Sequence, residues 1–224
     1  KFLQPGGDKP WFLELAYTLP HEDFTVPETD RAPFANRFGG GEAATLAAMI
    51  TKLDRDVGKV LAHLRATRQL ENTLVIFTSD NGAPKAHQRF QGNGIFRGLK
   101  GSVYEGGLRV PYIVRGRGIA AKAVQSTPVG FVDFYPTMCA VAGVAPPVGL
   151  DGIALLDVWR GGAAPERSTP LSTAFRMLPA LLIALIATIW LRCPCSTGAP
   201  AARSIPSDPR MLSRYPPTAS PRQR

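Results

Sequence analysis

The first hydrophobic stretch, Trp11 to Tyr17 (WFLELAY), is a run of apolar and aromatic residues held between Pro10 and Pro20, the pattern of a buried β-strand. A second, Thr73 to Thr78 (TLVIFT), stops abruptly at Ser79-Asp80-Asn81-Gly82. Between the two the period changes. Leu46, Met49, Ile50, Leu53, Val57, Val60, Leu61 and Leu64 recur at three- and four-residue steps, with Lys52, Arg55, Asp56 and Lys59 between them, which predicts an amphipathic helix from Glu42 onward. Gly58 lowers the helix propensity but leaves the pattern intact. Strand, long helix and strand form a βαβ unit, so the two strands are predicted to be parallel. His21 to Gly41 has proline and glycine punctuation without periodicity and is predicted to be a surface loop. Arg109 to Arg115 (RVPYIVR) predicts a third strand. Phe131 to Val144 (FVDFYPTMCAVAGV) predicts a short helix stopped by glycine.

The pattern then changes character. Met177 to Leu191 (MLPALLIALIATIWL) is nearly all apolar, without charge and without a clear face. As a helix it would span roughly 22 Å, short of the ~30 Å hydrocarbon core of a bilayer. Three readings stay open: a membrane anchor, which the length disfavours, a buried helix, or a fortuitous apolar run. From Arg192 to Arg224 the chain is rich in proline, arginine and serine, a composition that predicts disorder. The expected organisation is therefore a folded region over 1–170, an apolar segment over 171–191 and a tail over 192–224. So abrupt a change suggests a foreign or mistranslated end.

Composition adds little to this picture. The 224 residues carry 45% hydrophobic and 19% charged side chains, which fits a globular protein long enough to bury a core. The formal net charge of +9 raises the question of nucleic-acid or membrane binding. Six arginines against one aspartate give the tail from Arg192 five of those charges, so the folded part is ordinary and nucleic acid is not expected as a partner. The three cysteines, Cys139, Cys193 and Cys195, define no disulfide framework, and Cys139 in TMCAVAG reads as a buried thiol. The opening residues lack a signal-peptide pattern and read as the middle of a longer protein.

Candidate chemistry gathers where an α/β fold places it, beyond the carboxyl ends of parallel strands. His21 follows the first strand; Asp80 and Asn81 follow the second. Asp80 and Asn81 offer a carboxylate and an amide oxygen, hard donors suited to Ca²⁺ or Mg²⁺. Neighbours on a regular strand point to opposite faces, so both reach one ion only if the chain turns, which Gly82 permits. Alone, Asp-Asn-Gly is ordinary turn chemistry. Lys100, in FRGLKGSVYEGG, stands between glycines and could meet an oxyanion as a point charge; alone it reads as a solvent-facing lysine. His21 could act as a general acid or base, or be a loop histidine. His63 on the helix reads as structural, His87 has no framing that assigns it, and Glu105 with Arg109 reads as a loop-shaping ion pair.

Together the motifs LAYTLPH…VPE, LDRDVGKVLAHL, ENTLVIFTSDNG, FRGLKGSVYEGGLRVPYIV, VDFYPTMCAVAGV and LDGIAL resemble the sulfatase family of the alkaline-phosphatase-like superfamily, from about Pro10 to Trp159. TSDNG and LKGSVYEGGLRVP are specific in combination. The resemblance implies an α/β sandwich with a mostly parallel sheet flanked by helices, and metal-dependent hydrolysis of sulfate esters. It implies Asp80 and Asn81 as ligands of a calcium or magnesium ion, and Lys100 and His21 as catalytic contacts to the sulfate or its leaving group. The implied partner is a sulfated small molecule or glycan, in a secreted, lysosomal or periplasmic compartment. The family's formylglycine nucleophile, made from a C/S-x-P-x-R motif, and its N-terminal aspartate pair have no match here. The expectation is therefore a fragment carrying half of an active site and inactive alone. A phosphoesterase or phosphonate hydrolase of the same superfamily, or a non-catalytic membrane-attached protein, are the alternatives.

Overall fold

The computed structural model describes residues 10–167 and the strand 186–192, all within one unit, Lys1–Pro194. The elements in order are β1 (Phe12–Tyr17), α1 (Glu28–Phe38), α2 (Gly41–Ala66), β2 (Thr73–Thr78), α3 (Glu105–Leu108), β3 (Tyr112–Arg115), α4 (Phe134–Ala142), α5 (Leu156–Trp159) and β4 (Ile186–Arg192). The expectations for the domain limits near 170 and for the tail lie outside the described residues.

The period in α2 does what it predicts. Its apolar stripe buries Leu46, Met49, Leu53 and Leu64, while Arg55 and Lys59 stay on the wet face. Complete burial of a leucine side chain such as Leu46 or Leu64 stabilises by about 1.5–3 kcal/mol relative to exposure. Successive residues of β2 point to opposite faces, and each face has its own cluster. Val75 packs with Leu64 of α2 and Leu70, and Ile76 packs with Leu155, Val158 and Trp159 around α5. Helical elements thus cover both faces of β2.

The strand order is β1-β4-β2-β3. This corrects the mostly parallel sheet: every hydrogen-bonded pair among the described strands is antiparallel. β1 and β2 do run in the same direction, as the βαβ unit requires, but they are not neighbours. β4 lies between them, with Leu191 opposite Phe12 on one side and Leu74 on the other. Of the apolar run, Ile186–Arg192 is extended and pairs with both β1 and β2. Residues 177–185 lie outside the described part. Among the described residues no helix is long and apolar enough to cross a membrane.

The predicted loop after His21 contains a helix. α1 buries no residue and carries Pro33 inside, so its apolar pattern gives no sign of it. What supports it is charge and capping. Glu28 and Asp30 sit in the first turn and Arg37 in the last, complementing the helix dipole. Gly39 ends it in the left-handed conformation with its N–H on the Ala35 carbonyl. Arg55 of α2 reaches Asp30 at 2.9 Å and ties the two helices together.

A buried polar anchor holds the end of the described region. Asp133, fully buried before α4, accepts the backbone N–H groups of Gly130 and Ile153, each at 2.9 Å. Arg167 closes on the same carboxylate in a bidentate pair at 2.8 and 2.6 Å and also donates to the Pro128 carbonyl. Thr137 donates to the Asp133 carbonyl and accepts from the Leu155 N–H. One turn of sequence, VDFYPT, therefore organises α4, α5 and the segment up to Arg167. Cys139 of α4 is buried and free, as expected.

Candidate metal and anion site

β2 ends in a buried threonine, Thr78, and the chain bends through Asp80 and Asn81. The Ser79 hydroxyl contacts the Asp80 carboxylate at 3.4 Å and the Asn81 carbonyl at 3.2 Å, holding the bend. Gly82 is needed here for a reason other than a left-handed turn, since its φ lies outside that region. A β-carbon on Gly82 would fall 1.8 Å from the Gly106 carbonyl oxygen, so two backbones pass where no side chain fits. The Gly82 N–H donates to the Gly107 carbonyl at 2.9 Å, and the Gly106 N–H donates to that of Arg97 at 2.7 Å. The paired glycines of YEGG and the glycine of DNG are thus two halves of one close contact.

Asn93 completes the stitching. Its side-chain oxygen accepts the Ala83 N–H at 2.7 Å, and its amide donates to the carbonyls of Gly98 at 2.9 Å and Ala83 at 3.4 Å. The Lys100 N–H donates to the Ala83 carbonyl at 3.1 Å. The loop bearing Lys100 is therefore fixed to the residue that follows Asp80-Asn81-Gly82. Gly98 and Gly101 flank Lys100 with φ of 91° and 86°, conformations that favour glycine. Other basic residues of the loop are spent locally: Arg97 lies over the Tyr104 ring and Arg109 over Phe96, with Arg109 also paired to Glu105 at 3.1 Å.

His21 arrives from the other side. The segment after β1 turns through a cis Leu19–Pro20 bond, with the His21 N–H on the Thr18 carbonyl at 2.8 Å. Its ring Nε2 lies 3.1 Å from the Lys100 Nζ, across 79 residues of sequence. The lysine ammonium donates, so His21 accepts through Nε2 and carries its proton on Nδ1, which faces the Glu22 carbonyl at 3.3 Å. The structure therefore brings His21 to Lys100, and joins Lys100 through backbone to the Asp80-Asn81 bend.

The bend has the marks of a cation site. The Asn81 side-chain oxygen is buried and has no hydrogen-bond partner, an expensive condition for a polar atom that a bound cation would relieve. Asp80 beside it supplies the charge. Among the described residues no three His, Cys, Asp or Glu side chains converge on one point.

His87 belongs to this neighbourhood although its sequence context gave no sign of it. It lies in the helical turn Lys85–Phe90, its ring tilted against Phe24 at 6.3 Å. Burial, chiefly, holds its pKa below the usual histidine range; a hydrogen bond to the Pro20 backbone and the Glu22 charge oppose this, and Lys100 adds to it. Because the folded value is depressed, the neutral ring's contribution to stability is complete above the unfolded value of about 6.5 and is lost as pH falls below it. Wild type and His87→Gln are accordingly expected to differ most in Tm near neutrality, with the gap closing as the pH is lowered from 7 towards 5. A thermal melt series over that range checks this. Two adjoining clefts of about 350 and 400 Å³ share Phe24, Glu42 and Ala86, and the larger is also lined by Glu22 and Asp23, which follow His21.

The α/β scaffold thus joins two hard oxygen donors at a strand end, through backbone, to a lysine–histidine pair. The chain belongs to the sulfatase family: the family model described as Sulfatase matches residues 1–144. It is 34% identical over 169 residues to N-acetylgalactosamine-6-sulfatase of Canis lupus familiaris, covering 73% of this chain and 31% of that protein. It is 35% identical over 165 residues to human arylsulfatase A, covering 72% and 31%. It is 32% identical over 151 residues to the uncharacterized sulfatase YdeN of Escherichia coli K12, covering 66% and 27%. The chain thus spans less than a third of the length of these relatives. Among solved structures it resembles Ps i-CgsB, crystallised in complex with k-i-k-neocarrahexaose, with a TM-score of 0.52 and 33% identity over 62% of this chain and 31% of that one.

Proposed function

We propose that this chain supplies one side of a sulfate-ester hydrolase site within an alkaline-phosphatase-like sandwich. The observation that carries the proposal is the 3.1 Å approach of His21 to Lys100, linked by backbone to a bend with an orphaned Asn81 oxygen. Asp80 and Asn81 would hold a calcium or magnesium ion, which supplies positive charge to an ester oxygen when bound. Lys100 meets the sulfate as a fixed ammonium, held by its loop rather than by a counter-ion, so its charge is available to an anion. His21 stands beside it, placed to pass a proton to or from the departing oxygen. A formylglycine from a C/S-x-P-x-R motif would provide the nucleophile, and no such motif occurs in this chain.

The substrate is a sulfated small molecule or glycan. Its non-sulfate part fits the clefts beside Glu22, where Phe24 and Phe38 offer apolar faces and Glu42 an acceptor for hydroxyl groups. Support for a glycan comes from the oligosaccharide in the Ps i-CgsB complex. The compartment we infer is secreted, lysosomal or periplasmic.

Calcium at 100 times its Kd is expected to stabilise the chain by about 2.7 kcal/mol. Asp80→Ala should abolish that shift in a thermal melt; an undiminished calcium response in this variant would remove the metal assignment. In a full-length enzyme carrying this segment, Lys100→Ala is expected to lower kcat/KM for a chromogenic aryl sulfate by about 10²–10³-fold, the scale of losing one fixed electrostatic contact. The isolated chain is expected to give no turnover. Turnover by it that Lys100→Ala abolishes would mean that a nucleophile lies within these residues.

A further inference from the structure

α1 lies beside α2 and buries none of its 11 residues. Pro33 removes a backbone hydrogen bond from its middle. It is fastened by the ion pair of Asp30 with the half-exposed Arg55 at 2.9 Å, and by the Phe38 ring, which meets Phe90 edge-on at 5.2 Å. The backbone is unusual at both ends of the segment that carries it. Asp23, two residues after His21, has a φ of 70°, a region that few residues other than glycine occupy. At the far end Gly39, Gly40 and Gly41 have φ of 75°, 70° and 60° in succession. Gly39 alone suffices to cap the helix. Gly40, with a ψ of −160°, stands in a region open essentially to glycine only. No atom lies within 4 Å of the β-carbon position of any of the three, so close packing does not demand them. Three glycines ordered without contacts cost the most entropy to fix and turn the most freely.

The smaller cleft lies at this glycine junction. Phe38, Gly39 and Gly40 line one side of it, and Glu42 and Leu46 of α2 line the other. Phe24, at the start of the segment, lines both clefts. We propose that residues 24–38 form a lid, hinged at Asp23 and at the three glycines, that closes Phe24 and Phe38 over the group carrying the sulfate. The inference rests on the reading of these clefts as the place of that group. Two aromatic rings brought down on it would hold the apolar face of a sugar or aryl ring and keep water from the ester. Opening then releases the product, and an element with few buried contacts opens at little cost. The near hinge lies beyond His21, so the His21–Lys100 pair stays on the fixed side while the lid swings.

Hydrogen exchange of the whole chain tests the lid without catalysis. An undocked helix of 11 residues does not persist in water, so each opening is read as exchange. Amides of residues 34–38 are expected to exchange about 100-fold faster than those of residues 46–53 in α2, where Leu46, Met49 and Leu53 are buried. Asp30→Asn and Arg55→Gln cut the ion pair from either side. Each should speed exchange in α1 by about 2–5-fold and leave α2 unchanged. Calcium with phenyl sulfate should slow exchange both in α1 and in the Lys100 loop. Equal rates in the two helices, or acceleration of both by the ion-pair variants, would overturn the lid, since the helices would then open as one unit. Slowing in the Lys100 loop alone would overturn it as well, because the anion would bind with nothing closing over it. Slowing in neither would remove the functional reading, and the lid with it.

Discussion

Asp133→Ala is expected to destabilise the fold by about 3–5 kcal/mol, the scale of breaking a buried ion pair from one side. The substitution would leave the Arg167 guanidinium, which is 16% exposed, facing an emptied site. It would also strand the N–H groups of Gly130 and Ile153. Asp133→Asn keeps the size and part of the acceptor capacity, and is expected to cost less than the alanine. Chemical denaturation of the three proteins at one salt concentration orders them. An alanine variant within about 1 kcal/mol of wild type would mean that the pair offsets little more than its own desolvation.

Gly82→Ala is the second large effect. The new methyl would meet the Gly106 oxygen at 1.8 Å, its carbonyl carbon at 2.7 Å and the Gly107 Cα at 3.0 Å. All three are backbone atoms, so no rotamer change relieves the contact. Forcing even a methylene into a packed site costs about 1–3 kcal/mol, and here relief requires parting the two loops that carry Asn81 and Lys100. Gly82→Ala is thus expected to lose both stability and the calcium response. Gly58→Ala is the control: Gly58 is helical, exposed and open around its β-carbon position. That change is expected to stabilise by about 0.5–1 kcal/mol. Thermal melts with and without calcium separate the two variants. A Gly82→Ala protein with wild-type stability and calcium response would show that the loops part at little cost.

What the sequence disclosed follows the range over which each feature is set. α2, β2, β3 and the glycine-stopped α4 are written in local periodicity, and each was legible. α1 was not, because it buries nothing and rests on end charges and one ion pair to α2. The place of β4 was not, because a strand inserted between β1 and β2 depends on partners more than 100 residues away. At the site, Asp80, Asn81, Lys100 and His21 could be nominated by type and motif. Gly82 was noticed for the wrong physical reason, a turn, when its role is to let the Gly106 backbone pass. His87 and Asn93 carried no local mark at all. Both act across loops, one against the Phe24 ring and the other on Ala83 and Gly98, and such pairings appear only when the chain is folded.

The same loops bear on how the protein ages. Asn81-Gly82 and Asn93-Gly94 are both asparagine–glycine pairs, the sequence most open to deamidation, in which the glycine nitrogen attacks the asparagine amide carbon. In the fold neither nitrogen is free to do so. Gly82 donates its N–H to the Gly107 carbonyl at 2.9 Å and Gly94 donates to Gln91 at 2.7 Å. The glycine contacts that assemble the site are thus also its chemical preservative. Damage would enter through local opening, and its two products would differ. An aspartate at 81 would still present an oxygen to a cation, whereas an aspartate at 93 would lose both N–H groups that tie the lysine loop to its neighbour.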